Sequence, residues 1–122
     1  MPGASAYFLA GSVVYTLQAR ENVAGITKDQ MQGKRSSSEP YAQLLAVSVR
    51  DKVGATWGLA ETGAAGPTGN RYGDPAGHTC VAVAGPSETV LTYRTGSDDR
   101  VANMRAFALK ALETLEEVLG KA

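Results

Sequence analysis

The chain has 122 residues, of which 43% are hydrophobic and 20% charged, so it can form one domain with a modest core and lies outside the disordered and fibrous classes. Lysine plus arginine equals aspartate plus glutamate at 12 each, which leaves no net field to attract nucleic acid or an anionic membrane. No apolar stretch is long enough to cross a bilayer and the N-terminus lacks signal-peptide features, so we expect one cytoplasmic domain over residues 1–122.

The first half of the chain predicts one strand and two helices. YFLAGSVVYT mixes aromatic and β-branched residues, which favours a strand from about Ala10 to Thr16 that is buried on both faces. LQARENVAG predicts a short helix that ends at Gly25, followed by an irregular polar stretch. A longer helix then begins at the N-cap Ser38 and ends at Gly54, with apolar residues at helical spacing from Tyr41 to Val53.

The second half predicts three strands and a long helix. ATWGLAET suits a central strand, and HTCVAVAG and ETVLTYRT suit an antiparallel hairpin that turns at Gly85-Pro86-Ser87. A final helix should run from about Asp99 to Leu119, capped by Ser97 or Asp98. Its predicted buried stripe contains Val101, Met104, Ala108, Ala111, Leu112, Leu115 and Val118. This order indicates an α/β fold with helices on both faces of a mixed sheet.

Cysteine and histidine are too scarce for several kinds of site. With one cysteine, Cys80, and one histidine, His78, the sequence has no internal disulfide and no zinc site built from these residue types. We expect Cys80 to be a small apolar residue within a strand and His78 to lie at the start of that strand. No metal or cofactor is expected.

The segment ETGAAGPTGNRYGDPAG, from Glu61 to Gly77, contains five glycines and two prolines. It matches neither GxGxxG nor GxxxxGK[ST], and a strand follows it rather than a helix, so it is not a dinucleotide-binding or P-loop motif. Two interpretations remain: an unstructured connection, or a site at which the Thr62 hydroxyl stands beside small residues. Arg71 and Tyr72, at the tip, are either solvated or in contact with a ligand.

Four stretches resemble successive landmarks of the C-terminal domain of the CinA (competence/damage-inducible) family. In chain order they are VVYTLQAR, SSSEPYAQLLA, ETGAAGPTG with the DPAGHTC strand, and TGSDDRVANMRAFALKAL. The resemblance covers nearly the whole chain. That family includes nicotinamide-nucleotide amidases, which hydrolyse nicotinamide mononucleotide to nicotinate mononucleotide and ammonia.

The resemblance implies a three-layer α/β/α fold and a site built around a serine nucleophile. Tyr15, Thr62 and Arg100 fall on the family's catalytic tyrosine, threonine and arginine positions. The backbone of Gly63, Ala64 and Gly66 would contact substrate, as would Arg20. Taken by itself, Tyr15 is more often a packed aromatic, and Arg100 is as readily a solvated surface charge. The run Ser36 to Ser38 is better explained by Ser38 capping the next helix than as a nucleophile cluster.

Two parts of the family's site do not carry over. The serine lies in an ESCTGG-like turn before the first landmark, so a chain that starts MPGASAYF should lack the first strand-turn-helix unit. Arg20 occupies the family's lysine position, and it stays protonated near neutral pH, so it cannot be a general base, although its planar fork can bind phosphate or carboxylate.

We therefore expect a protein related to the amidases, with impaired hydrolysis and a small nucleotide ligand. One alternative is a noncatalytic nucleotide-binding or protein-interaction module, and another is that the sequence belongs to a longer protein that carries the serine segment. Loss of a strand-turn-helix unit would expose apolar area and a strand edge, so we expect a homo-oligomer, with neither nucleic acid nor membrane as partner.

Overall fold

Three helices and three strands make up the part of the chain that the computed structural model describes, residues 1–121. After a 3-10 turn at Ala4–Ala6 come α1 (Leu17–Asn22), α2 (Glu39–Val53), β1 (Gly58–Ala64), β2 (His78–Ala84), β3 (Thr89–Arg94) and α3 (Arg100–Lys121). Of these described helices, none combines the length and apolar character that a bilayer span requires.

The strands form one antiparallel sheet in the order β1-β2-β3. Leu59 pairs with Val83 and Thr79 with Tyr93, so each neighbouring pair is a hairpin. The predicted β2–β3 hairpin is confirmed. The prediction of a mixed sheet is wrong for residues 1–121, and β1 lies at an edge rather than at the centre. The central strand is β2, which is buried along its whole length.

Helices cover both faces of the sheet, so the three-layer arrangement is confirmed. On one face Ala42 and Ala46 of α2 pack against Cys80, Ala82 and Ala84 of β2. Because neighbouring strand residues point to opposite faces, Thr79, Val81 and Val83 point to the other face, where α3 packs on β1 and β2. Within the described chain α2 and α3 do not contact each other, so the sheet separates them.

Local capping determines where the helices begin and end. The Ser38 hydroxyl accepts a hydrogen bond from the Tyr41 amide (3.4 Å), and Gly54, with φ of 68°, ends α2 in the left-handed conformation. Both predictions for α2 are confirmed. Helix α3 begins one residue later than predicted, because Asp99 provides the cap and its carboxylate accepts from the Ala102 amide (3.1 Å).

The predicted strand from Ala10 to Thr16 is wrong. That segment is irregular and mostly exposed, with Tyr15 at 79% exposure. β-branched and aromatic residues stabilise a strand through their packing against cross-strand neighbours. No strand among residues 1–121 pairs with this segment, so it does not form a strand although its residues favour one.

The predicted buried stripe of α3 is only partly correct. Ala111 and Val118 are buried, but Val101, Met104 and Leu112 are each more than half exposed. The sheet instead packs against a neighbouring face of the helix that contains Asn103, Phe107 and Thr114. Two of these are polar, and their polar atoms are bonded, as in the 2.7 Å bond from the Thr114 hydroxyl to the Lys110 carbonyl.

Candidate functional site

The glycine-rich segment is a hairpin loop held by hydrogen bonds. Strand β1 continues to Ala64 and β2 begins at His78, so the connection covers residues 65–77. From α3, the Asn103 amide nitrogen donates to the Ala65 carbonyl (2.8 Å) and an Arg100 guanidinium nitrogen donates to the Gly66 carbonyl (2.8 Å). An unstructured connection is therefore excluded.

Two glycines of the segment are required by their surroundings. A side chain at Gly63 would collide with the His78 carbonyl on the neighbouring strand. Gly66 has φ of +112°, and a β-carbon there would lie 2.9 Å from the Asp98 carbonyl oxygen. Glycine alone adopts that conformation without strain, so its presence lets the loop turn tightly beside the start of α3.

Arg100 joins Tyr15 to the loop. One guanidinium nitrogen donates to the Tyr15 hydroxyl (2.8 Å) although the two residues are 85 positions apart, while the other donates to Gly66. Tyr15 and Arg100, which the resemblance assigns to one site, therefore contact each other. Arg100 also holds the loop through Gly66.

Thr62 lies on the opposite side of β1 from the residues that face α3. Its hydroxyl oxygen accepts a hydrogen bond from the Ser37 amide (3.2 Å). Ser37 is buried and has an unusual φ of 57°, which is uncommon outside glycine. Because no acceptor among residues 1–121 takes the hydroxyl hydrogen, Thr62 can still donate to a ligand.

Arg20 lies apart from the other predicted residues. Its guanidinium stacks on the Tyr41 ring, 5.5 Å from the centroid, and its Nε atom is buried without a hydrogen-bond partner in the described chain. No hydrogen bond joins Arg20 to Tyr15, Thr62 or Arg100. Gly63 and Ala64, predicted as part of the loop, are the last residues of β1 and pair with Thr79 and His78.

A buried charge cluster around Asp74 was not predicted from the sequence. Asp74 is 7% exposed and accepts hydrogen bonds from Arg35 (2.7 Å) and Asn70 (2.8 Å), with Arg94 and His78 each at 3.6 Å. Burial opposes ionisation, but the bonds from Arg35 and Asn70 outweigh it and lower the pKa of Asp74. The carboxylate therefore ties the loop tip to residue 35 and to the sheet.

His78 and Cys80 are fully engaged in packing and hydrogen bonding. The His78 Nε2 atom donates to the Ser37 carbonyl (2.8 Å), and its Nδ1 atom accepts from Arg94 (3.1 Å), so neither nitrogen is free to act as a base. Burial raises the pKa of the Cys80 thiol, which disfavours the reactive thiolate. Both residues are structural, as expected.

One further carboxyl lies beside the site. Glu61, next to Thr62 but on the other face of β1, accepts a hydrogen bond from the Thr79 hydroxyl. Burial of this carboxyl raises its pKa, and the bond from Thr79 only partly offsets the effect. The end of β1 therefore presents different groups on its two faces, Thr62 on one and Glu61 on the other.

Two surface depressions lie away from these residues. One is between the C-terminal end of α3 and the β2–β3 turn, and the other lies beside α1. None of the candidate residues lines either depression.

Comparison with known proteins identifies the domain. A family model described as the CinA C-terminal domain matches residues 1–119. A CinA-like protein from Desulfosudis oleivorans is 38% identical over 120 residues, and one from Anaeromyxobacter sp. strain K is 40% identical over 119. The match covers 98% of this chain in both, but the chain spans only 29% of either relative's length.

Solved structures agree on the fold. A CinA superfamily protein from Klebsiella pneumoniae superimposes with a TM-score of 0.90 at 24% identity, covering 100% of this chain and 76% of that chain. A competence damage-inducible protein A from the same species gives a TM-score of 0.88 at 23% identity, covering 98% and 74%. From these matches and the family model, the chain belongs to the CinA C-terminal domain family.

Proposed function

We propose that this domain binds a pyridine mononucleotide of the nicotinamide mononucleotide type at the end of β1, with Tyr15, Thr62 and Arg100 in contact with the ligand. The observation that carries the proposal is the position of Arg100, which bonds both the Tyr15 hydroxyl and the Gly66 carbonyl. Arg100 and Tyr15 lie on the α3 side of the sheet and Thr62 on the α2 side, so the proposed ligand would extend across the end of β1.

The chemistry of these groups suits such a ligand. The Thr62 hydroxyl can donate to a carboxamide or hydroxyl oxygen, and Arg100 carries a permanent positive charge. Gly63, at the end of β1, is exposed and carries no side chain, so a flat ring can approach the backbone there.

Amide hydrolysis by this chain should be impaired. The reaction in the related amidases needs a serine nucleophile and a base that activates it. Arg20 at the lysine position cannot accept a proton near neutral pH, and the His78 nitrogens are both occupied. The Ser38 hydroxyl caps α2 and donates to the Arg35 carbonyl (2.6 Å). Among residues 1–121, therefore, none of Arg20, His78 and Ser38 is suited to act as the nucleophile or its base.

A noncatalytic binding module is the second candidate, and the permanent charge of Arg20 favours it. The two candidates share a ligand site and differ in turnover. Release of ammonia from nicotinamide mononucleotide therefore distinguishes them.

The test measures binding and turnover on the same samples. Calorimetric titration with nicotinamide mononucleotide should show binding that Arg100→Gln weakens by about tenfold or more, since hydrogen bonds to charged groups contribute about 1.5–3 kcal/mol. Arg50→Gln is the charge-matched control, because Arg50 lies in the last turn of α2 and pairs with the exposed Asp51. Slow ammonia release above the blank would favour the impaired amidase, and release at the blank level would favour the noncatalytic module.

Two outcomes would contradict the proposal. Absence of binding at millimolar nicotinamide mononucleotide would show that this compound is not the ligand. Equal affinity in Arg100→Gln and wild type would show that the binding site does not include Arg100. Ammonia release that disappears in Thr62→Ala would instead establish an active amidase.

A further inference from the structure

Ser37 has a backbone conformation that a serine rarely adopts. Among the non-glycine residues from 1 to 121 it alone has a positive φ, of 57°. The β-carbon makes this region unfavourable for residues other than glycine. Such a residue persists only where its surroundings hold it, and residues of this kind are concentrated at functional sites. The contacts of Ser37 therefore indicate why the fold keeps this conformation.

Side chains of β2 hold the Ser37 carbonyl. The His78 Nε2 atom donates to this oxygen (2.8 Å), and the Cys80 thiol lies 3.6 Å from it. Because Arg94 donates to the His78 Nδ1 atom (3.1 Å), the ring hydrogen is on Nε2 and points at Ser37. Ser37 and His78 are 6% and 3% exposed, so water competes little for this hydrogen bond.

The amide of the same residue contacts Thr62. It donates to the Thr62 hydroxyl oxygen (3.2 Å). Thr62 pairs with Cys80 across the two strands, so Thr62, Cys80 and His78 point to the same face of the sheet, the face that α2 covers. Only φ and ψ separate the amide of a residue from its carbonyl. Holding the Ser37 carbonyl therefore also determines where its amide points.

The bond from Ser37 orients the Thr62 hydroxyl. A threonine hydroxyl has one hydrogen and two lone pairs, and it rotates freely unless a partner fixes it. With the Ser37 amide on one lone pair, the hydroxyl hydrogen is directed away from that amide. A donor that is already oriented loses less entropy when a ligand oxygen binds to it. The conformation of Ser37 thus prepares Thr62 for a ligand.

We infer that Ser37 is a positioning residue for Thr62, and that His78 holds Ser37 in the conformation that this role requires. The inference rests on the proposed function for the identity of the ligand. It adds that ligand affinity depends on His78, a buried residue of β2. The Ser37 side chain takes no part, because both hydrogen bonds are made by its backbone.

A double-mutant cycle tests the coupling between His78 and Thr62. Nicotinamide mononucleotide is titrated calorimetrically into the 122-residue chain as wild type, His78→Asn, Thr62→Val and the double variant. Asparagine is too short to reach the Ser37 carbonyl, so His78→Asn should weaken binding by about tenfold. The same substitution should have little effect when Thr62→Val is already present, because the residue that it positions has lost its hydroxyl.

Three control variants separate positioning from packing. His78→Gln places an amide nitrogen where Nε2 was, so it should restore most of the affinity. Ser37→Gly keeps the amide and favours a positive φ, so it should bind as wild type does. Val83→Ala, buried in β2, points to the α3 face and should lower stability without changing affinity.

Three results of these titrations would overturn the inference. The first is equal weakening by His78→Asn with and without Thr62→Val, which is the result expected of a purely structural role. The second is unchanged affinity in His78→Asn. The third is loss of binding in Ser37→Gly, which would assign the role to the serine side chain.

Amide hydrogen exchange tests the same contacts without a ligand. Relative to the Val81 amide at the centre of β2, the Ser37 amide should exchange about tenfold faster in Thr62→Val and in His78→Asn than in wild type. An unchanged ratio in either variant would overturn the inference.

The two measurements separate this inference from the proposed function. If nicotinamide mononucleotide does not bind but Ser37 exchange rises as expected, the proposed ligand is wrong and the positioning of Thr62 stands. If binding depends on Arg100 but not on His78, the proposed function stands and this inference is wrong.

Discussion

At the scale of single residues, the ionised carboxylate of Asp74 stabilises the loop. Because the fold lowers its pKa from the ordinary 3.8, this stabilisation is present at neutral pH and is lost as the pH falls through the folded value. Asp74→Asn should therefore lower the free energy of unfolding by about 1–3 kcal/mol at pH 7. The loss should be smaller than for a fully buried ion pair, because the Arg35 and Arg94 side chains are partly solvated.

Thermal melting at pH 7, 5 and 3 checks this prediction. The gap in melting temperature between wild type and Asp74→Asn should be largest at pH 7 and should narrow at pH 3. Asp51→Asn, which breaks the exposed pair with Arg50, is the control and should change little at any pH. A gap of constant size from pH 7 to pH 3 would show that ionisation of Asp74 is irrelevant to stability.

Only part of the site could be predicted from the sequence. Thr62, Tyr15 and Arg100 were assigned by the family's motifs, while the bond between Tyr15 and Arg100 joins residues 85 apart and has no local signature. Asn70 and Asp74 form a local turn that the spacing hints at, but their partner Arg35 is 39 residues from Asp74. Contacts of this kind arise from the tertiary fold, so pattern reasoning does not find them.

At the scale of elements, α3 holds the loop through Asn103. This side chain is 1% exposed. Its nitrogen donates to the Ala65 and Ser97 carbonyls (2.8 and 2.9 Å), and its oxygen accepts from the Thr95 hydroxyl (2.6 Å). Asn103→Ala would leave buried polar groups unpaired, so it should reduce stability by about 2–4 kcal/mol.

Hydrogen exchange distinguishes a local effect from a global one. In Asn103→Ala, amides of residues 65–77 should exchange faster than in wild type under conditions where α2 remains protected. Thr114→Ala is the matched control, since Thr114 is buried on the same face of α3 but bonds only within the helix. Equal acceleration of the loop in both variants would mean that Asn103 has no special role as its anchor.

The difference between local signals and long-range contacts explains which elements were predicted correctly. Helix α2 and the β2–β3 hairpin follow from local signals, namely the Ser38 cap, Gly54 and the turn at Gly85. The strand predicted from Ala10 to Thr16 required a distant pairing partner that the described chain does not provide. In α3 two adjacent apolar faces compete, and the sequence alone does not say which one the sheet covers.

At the scale of the whole molecule, the other apolar face of α3 has no cover in the described chain. It contains Val101, Met104, Ala108, Leu112 and Leu119, most of them at least half exposed. Monomeric proteins rarely leave a continuous apolar surface of this kind in water. We propose that the homo-oligomer expected from the sequence forms when a second copy of this chain packs on this face.

The charges beside this face favour antiparallel packing. In an antiparallel pair centred near residue 110, Val101 of one copy lies opposite Leu119 of the other, and Ala108 opposite Leu112. Arg105 of each copy then approaches Glu116 of the other. The antiparallel arrangement therefore places opposite charges beside the apolar contact.

Leu112→Glu should convert the oligomer into a monomer without lowering the melting temperature of the isolated domain. The substitution places a charge at the centre of the proposed contact, and Leu112 is already 61% exposed, so the domain's own core is untouched. Leu109→Glu is the matched control, because Leu109 is 58% exposed on the far side of Arg105. Sedimentation at tens of micromolar should show wild type and Leu109→Glu associated and Leu112→Glu monomeric. A monomeric wild type would exclude self-association, and an unchanged Leu112→Glu oligomer would place the contact on another surface.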